Sequence, residues 1–202
     1  MASLLPMTEL EAVNLMLESV GEQGISSLLT DTGNSYVSIA SSVLHNQSRT
    51  LQTTGHSFNY EPNYTLSPDA TTGFINVPTN TLKVKATDRT KKIVQRGNRL
   101  YDVTNHTFVF TADLLVDITF FLAFEDLPQA ARSLIATLAS RDFQKKVLGS
   151  DTLTSITAQD EALAWSEFWD EEADVMNPSI FDSYYTARPI NRHANPVPIG
   201  GR

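Results

Sequence analysis

The sequence predicts an α+β protein: an antiparallel bundle of about four helices, an inserted antiparallel β-sheet lobe and an extended C-terminal arm. Three observations carry this. Near both ends of the chain, apolar residues recur at three- and four-residue steps, the mark of a helix with one buried face. Between them the texture changes to β-branched and aromatic runs cut by Gly, Pro and Asn. Beyond Met176, the prolines Pro178, Pro189, Pro196 and Pro198 exclude a helix of any length. The boundaries follow: 1–58 with 123–176 for the helical core, 59–122 for the insertion, 177–202 for the arm.

Thr8 and Glu11 stand at capping-box spacing, and Leu10, Val13, Leu17 and Val20 follow as an apolar stripe that Gly21 ends. A polar link through Gly24 and residues 30–34 leads to a second helix over about 34–54. Its inward residues are expected to be Tyr36, Ile39, Ala40, Val43, Leu44 and Leu51, with Gly55 as the stop. A short link predicts that the two helices pack antiparallel.

Residues 55–78 read as a loop-rich passage punctuated by Pro62, Pro68 and Pro78. Strands are expected at 74–77 and 81–86, then a hairpin over 93–101 turning on Gly97-Asn98. A second turn at 102–105 leads into 106–110, and residues 114–121 make the strongest strand. One antiparallel sheet over 73–122 is the expectation.

The pivot of the chain is the helix that begins near Phe124. Asp126 is its candidate N-cap, Pro128 suits its first turn, and Leu127, Ala131, Leu134, Ile135, Leu138, Ala139 and Val147 form its buried stripe. Lys145 and Lys146 complement the helix dipole in the last turn, and Gly149 supplies the stop. Thr157 is the expected cap of a fourth helix, with Ala162, Trp165, Phe168, Trp169 and Ala173 inward and Asn177-Pro178 at its end. The arm carries too many apolar and aromatic residues for a solvated linker, so it is expected to dock.

The chemistry is bounded mostly by exclusions. The chain has no cysteine, so no disulfide, thiolate metal site or cysteine nucleophile. Its four histidines (His45, His56, His106, His193) are not at metal-ligand spacings, and no Gly-rich phosphate loop appears. Ser41, Ser42 and Ser57 have no base that spacing places beside them. No apolar run reaches membrane-spanning length and no signal peptide is evident at the start, so a soluble protein without membrane insertion is expected. His56, beside Phe58 and Tyr60, reads as a packing residue. No cofactor and no metal are expected.

Charge is distributed unevenly. The net charge is −8, against a protein that grips nucleic acid over its whole surface. Yet Lys83 to Arg99 holds seven bases against one acid, and Asp160 to Asp174 holds seven acids and no base. The basic run could bind phosphates, guard a sheet edge or meet a protein. The acidic run could hold divalent cations or be a solvated helix face. Physical chemistry thus gives an interaction protein and not an enzyme.

Several stretches resemble tail tubular protein A, the head-to-tail adaptor family of short-tailed bacteriophages of the podovirus type. They are residues 8–22, Gly55-His-Ser-Phe-Asn59, Leu100-Tyr-Asp-Val-Thr-Asn-His-Thr-Phe108, Phe124-Glu-Asp-Leu-Pro128 and Ile180-Phe-Asp-Ser-Tyr-Tyr-Thr-Ala-Arg188, in family order. His56 departs from the pattern, which has tryptophan there. The resemblance implies a non-catalytic virion protein of the tail, made in the bacterial cytoplasm. It further implies a dodecameric ring joining the portal to the nozzle (tail tubular protein B), helping to seat tail fibres and lining the conduit for double-stranded DNA.

Two other readings stay open on the residues: a nucleic-acid-binding accessory protein using the 83–99 hairpin, and a glycan or peptidoglycan hydrolase using carboxylates of 160–174. For the ring, the expected subunit interface sets Lys91, Lys92 and Arg96 against Asp170, Glu171 and Glu172 of the next copy. For the portal, the expected docking residues are Phe181, Tyr184, Tyr185, Arg188 and Ile190.

Overall fold

The computed structural model describes residues 5–29, 35–149 and 154–176, so the arm and the link at 30–34 lie outside the described residues. Helix α1 (Glu9–Glu18) starts on a capping box: Thr8 Oγ1 accepts from the Glu11 amide at 3.2 Å, and the Glu11 carboxylate accepts from the Thr8 amide at 2.8 Å. Gly21 takes a φ of 82° as the chain leaves the helix. The side chain of Asn14 then pins that exit, accepting from the Ile25 amide and donating to the Ile25 carbonyl. Helix α2 (Ser35–Thr54) buries Val37, Ala40, Val43, Leu44 and Leu51, while Ile39 lies in solvent and Tyr36 is half-buried. Its inward stripe therefore runs through Val37, where the sequence suggested Ile39.

A 3-10 turn (Phe124–Asp126) precedes α3 (Gln129–Leu148), and Pro128, not Asp126, occupies the N-cap. The N-cap residue itself supplies no side-chain bond. Instead Arg132, only 8% exposed, gathers the incoming chain by donating to the carbonyls of Leu127 (2.7 Å), Met7 (2.8 Å) and Glu125. A guanidinium can be buried when its five fixed donors find acceptors, and here three carbonyls supply them. Along α3, Ala131, Leu134, Ile135, Ala136, Ala139 and Phe143 are fully buried, Leu138 and Val147 partly. Gly149 closes it in the left-handed region at φ 59°. Helix α3 packs against each of the other three helices, which makes it the pivot in fact.

Helix α4 (Thr154–Met176) begins three residues before Thr157, which is inside the helix and not its cap. Its buried face is Ala164, Phe168 and Glu172, spaced four apart, with Trp165 half-buried beside them. Ala162 and Ala173 face solvent, and Trp169 is 53% exposed.

The insertion holds two sheets where one was expected. Strands β1 (Tyr60–Leu66), β5 (Leu114–Phe120) and β2 (Thr81–Ala86) form an antiparallel sheet in the order β1-β5-β2. Strands β3 (Ile93–Arg96) and β4 (Arg99–Asp102) make the predicted hairpin on Gly97-Asn98, with Arg96 paired to Arg99 and Gly97 at φ 66°. The expected strands at 74–77 and 106–110 contribute only single bridges, Phe74 to Val109, Asn76 to Arg99 and Asp102 to Thr107. Pro62 lies inside β1 and gives this stretch the sequence signature of a loop. Strand β1 is an edge strand with a bulge between Glu61 and Tyr64 and Asn63 at φ 56°, which is where a strand tolerates proline. Leu66, Ile75, Val77, Leu100, Leu114, Val116 and Ile118 form a core of their own, separate from the bundle's.

Two buried amides fasten the insertion to the bundle. Gln52 on α2, fully buried, accepts from the Leu122 amide (2.8 Å) and donates to the Leu122 carbonyl (3.1 Å) and to Ser48 Oγ (3.0 Å). Asn59 donates to the carbonyls of Gln52 (2.9 Å) and Phe120 (2.7 Å) and accepts from the His56 amide (2.9 Å). Entry to β1 and exit from β5 are thus held at one neck, closed by the Phe120 amide donating to the Asn59 carbonyl at 2.8 Å. The paired groups could not be left buried without partners.

Candidate assembly surfaces

The expected interface bases all lie in solvent, but in different settings. Lys91 and Lys92 stand in the loop from β2 to β3, where the Lys91 amide closes a turn on the Asp88 carbonyl. Arg96 lies flat over Tyr101, its guanidinium carbon 3.7 Å from the ring centre, and Arg99 covers Phe74 at 4.6 Å. Phe108 meets both rings edge-on, at 4.9 and 6.4 Å, so the hairpin carries a stack of arginines and aromatics. Their guanidinium edges stay open to a partner.

The remaining bases shape a cleft of about 400 Å³ where the end of α2 meets β2 and β5. Lys83 and Lys85 alternate on the outer face of β2, Arg89 follows in the loop, and Thr54, Tyr60, Thr87 and Thr119 add hydroxyl groups. Asp117 forms part of its lining. The Thr87 hydroxyl (2.8 Å) and the Asn63 amide (3.2 Å), with Tyr60 and Lys85 nearby, hold its carboxyl below the usual carboxylate value. Among the described residues, Lys83, Lys85 and Arg89 make no ion pair within 4 Å.

Helix α4 divides its acids between two tasks. Glu161 pairs with Arg141 of α3, Glu171 accepts from the Ala130 amide at the start of α3 (3.3 Å), and Glu172 is only 6% exposed. Asp160, Glu167, Asp170 and Asp174 are exposed. Glu172 therefore departs from the expected interface set, because its charge is engaged within the chain. Asp170 and Glu171 remain on the surface.

Glu172 has Ser57 and His56 beside it, a juxtaposition the spacing did not reveal. Ser57 Oγ donates to Glu172 Oε1 at 2.6 Å, and the Ser57 amide donates to Oε2 at 3.1 Å. His56 Nε2 lies 3.1 Å from the Leu51 carbonyl, an acceptor only, which assigns its proton to Nε2. Nδ1 then faces Glu172 Oε2 at 3.5 Å without a close bond. A hydrolytic triad needs the serine bonded to the imidazole and the imidazole oriented by the acid. Here the serine proton points at the carboxylate, so the cluster is a joint tying residues 55–59 to α4. The His56 ring stacks on Phe58 (5.6 Å) and meets Phe168 edge-on (4.9 Å), keeping an aromatic-sized packing unit at this position. The sequence signal that could have found Glu172 was its place four residues after Phe168 on the buried stripe.

Among the described residues no group of three or more His, Asp or Glu side chains could hold a metal ion, and no helix is long and apolar enough to cross a membrane. Among the described residues most charged side chains are exposed, and the two buried ones are engaged within the chain: Arg132 by backbone carbonyls and Glu172 by Ser57. The model of the tail tubular protein family matches residues 10–177. Tail tubular protein A of Klebsiella phage KP34 is 34% identical over 155 residues, 76% of this chain and 81% of that protein. The chain belongs to the tail tubular protein family: it is a structural component of the virion tail and not an enzyme.

Proposed function

We propose that the protein is the adaptor ring of a short phage tail, set between the portal and the nozzle, with its lumen part of the path for ejected DNA. The observation that carries this is the family match across residues 10–177, joined to a fold whose charges are presented outward in opposite blocks. A ring needs two different complementary patches on each copy, and a chain with a basic insertion and an acidic helix has them. The ring is dodecameric on this reading and helps to seat tail fibres. Lys91, Lys92 and Arg96 of one copy approach Asp170 and Glu171 of the next. A net charge of −8 suits a wall past which a duplex must slide, because phosphates are not retained by it.

The arm provides the contact with the portal through Phe181, Tyr184, Tyr185, Arg188 and Ile190. Electron microscopy of the purified protein alone and mixed with portal tests the assignment. Closed rings that cap the portal are expected; a protein that binds neither itself nor the portal refutes it. Deleting residues 177–202 is expected to leave a folded protein that no longer joins portal to nozzle, and complete tails built from the truncated chain would remove the arm from the account.

A further inference from the structure

The acids of α4 that lack a partner among the described residues are not scattered. At 3.6 residues per turn, Asp160, Glu167, Asp170 and Asp174 fall within an arc of roughly 80°, on a row about 20 Å long. The exposed Leu163 lies within the same arc. The buried face of α4, through Ala164 and Phe168, points elsewhere, so this row is presented to solvent while the helix is held in place by its packing. On the insertion, the cleft of Lys83, Lys85 and Arg89 is the basic feature with depth. It is too small for a helix and wide enough for side chains. The two features are of opposite sign, Asp117 being an acid in the cleft's lining, and among the described residues neither makes an ion pair within 4 Å.

We propose that the Lys83–Lys85–Arg89 cleft receives the Asp160–Asp174 row of α4 from a second copy of the chain. This rests on the ring reading and moves its centre from the hairpin loop to the junction of bundle and sheet. Duplex DNA is the competing occupant. Its phosphates would meet the same three bases, but the chain's net charge of −8 opposes retention of a duplex. Interfaces of this kind set register and rate of encounter, which a closing ring requires of every boundary.

The test is a charge exchange. One variant carries Lys83→Glu, Lys85→Glu and Arg89→Glu; the other carries Asp160→Lys, Glu167→Lys and Asp170→Lys. All six side chains are on the surface, and tryptophan fluorescence checks the fold. Each variant alone is expected to lose ring assembly by roughly tenfold or more in sedimentation at low salt, and an equimolar mixture to recover it by alternation. If a charge-reversed chain fails to fold, Lys85→Cys with Glu167→Cys replaces it, since the chain has no cysteine of its own. A short bismaleimide should then convert assembled tails into covalent multimers. Rings that persist in the basic-cleft variant, or tails that yield no cross-linked multimers, overturn the surface and leave the ring reading standing. A wild-type chain that never closes a ring, alone or with portal, overturns both. Loss of duplex retention in that variant with rings intact assigns the cleft to phosphates and also overturns the proposal.

Discussion

The bundle and the insertion are built on different principles. Among the described residues the bundle has nineteen buried apolar residues in one cluster, and α3 touches every other helix. The insertion has seven, and depends in addition on short polar turns. Asp69 accepts from the amides of Thr71 and Thr72, Asp88 from the amide and hydroxyl of Thr90, and Asp102 from the amides of Thr104 and Asn105. The first region is held by burial and the second largely by directed bonds. What each tolerates should therefore differ: volume changes hurt the bundle, and loss of carboxylate charge hurts the insertion.

The largest effect is expected from Phe143→Ala, which opens a cavity under a fully buried ring and should cost about 3–5 kcal/mol of bundle stability by chemical denaturation. Both tryptophans lie on α4, so their fluorescence reports the bundle without the insertion. Leu134→Ala, also fully buried, should cost about 2–5 kcal/mol. Leu138→Ala, only partly buried, should cost less than Leu134→Ala. Equal losses at the two would erase the distinction between the inner and outer sides of α3.

Asn59→Ala attacks the neck between the regions. It leaves the Phe120 and Gln52 carbonyls and the His56 amide without the partner they have now, at about 1–3 kcal/mol for each group that water cannot reach. The insertion is expected to unfold at lower denaturant than the bundle, as two transitions where the wild type is expected to show one. A single shifted transition would mean that the two regions remain coupled without this side chain.

The smallest effect is expected from acid. Asp69, Asp88, Asp102 and Asp117 are all held below the ordinary carboxylate value of 3.8, first by the Thr72 amide, the Thr90 hydroxyl, the Asn105 amide and the Thr87 hydroxyl respectively. A carboxyl lowered in the folded state contributes stability fully above its unfolded value and loses it as pH falls through the lowered one. All four belong to the insertion. Between pH 6 and pH 3, methyl NMR signals of Val116 and Ile118 should therefore broaden or shift before tryptophan fluorescence changes. The reverse order would show that the polar turns are not the acid-sensitive element.

How much of this the sequence disclosed follows the same division. Helical periodicity identified the four helices, and Thr8, Gly21 and Gly149 their punctuation, because these signals are local. The start of α3 differs from the Asp126 cap that the sequence suggests, since the group that organises it is Arg132, reaching back to carbonyls that only the folded chain brings together. Strand β1 was hidden by Pro62, a breaker in a central strand and harmless at a bulged edge. The candidate surfaces were half legible. The opposite charge blocks were plain in the sequence. That Glu172 turns inward, and that Lys83, Lys85 and Arg89 share one cleft, depends on helix phase and strand alternation meeting across distant segments.

The neck has a consequence in time as well as in space. To set α2 against α3, an unfolded chain must close a loop over everything from Tyr60 to Phe120, and the entropy opposing closure grows with the logarithm of loop length. Pairing of β1 with β5 places Tyr60 opposite Thr119, so a sheet that formed first would hold the two ends of that loop together while the helices pack. On that order of events the insertion would act as a chaperone internal to the chain, shortening the search that the bundle must make. Ile118→Ala, which weakens β5 and touches no helix core, should accordingly slow the appearance of bundle tryptophan fluorescence in stopped-flow refolding, and an unchanged rate would show that the helices find one another unaided.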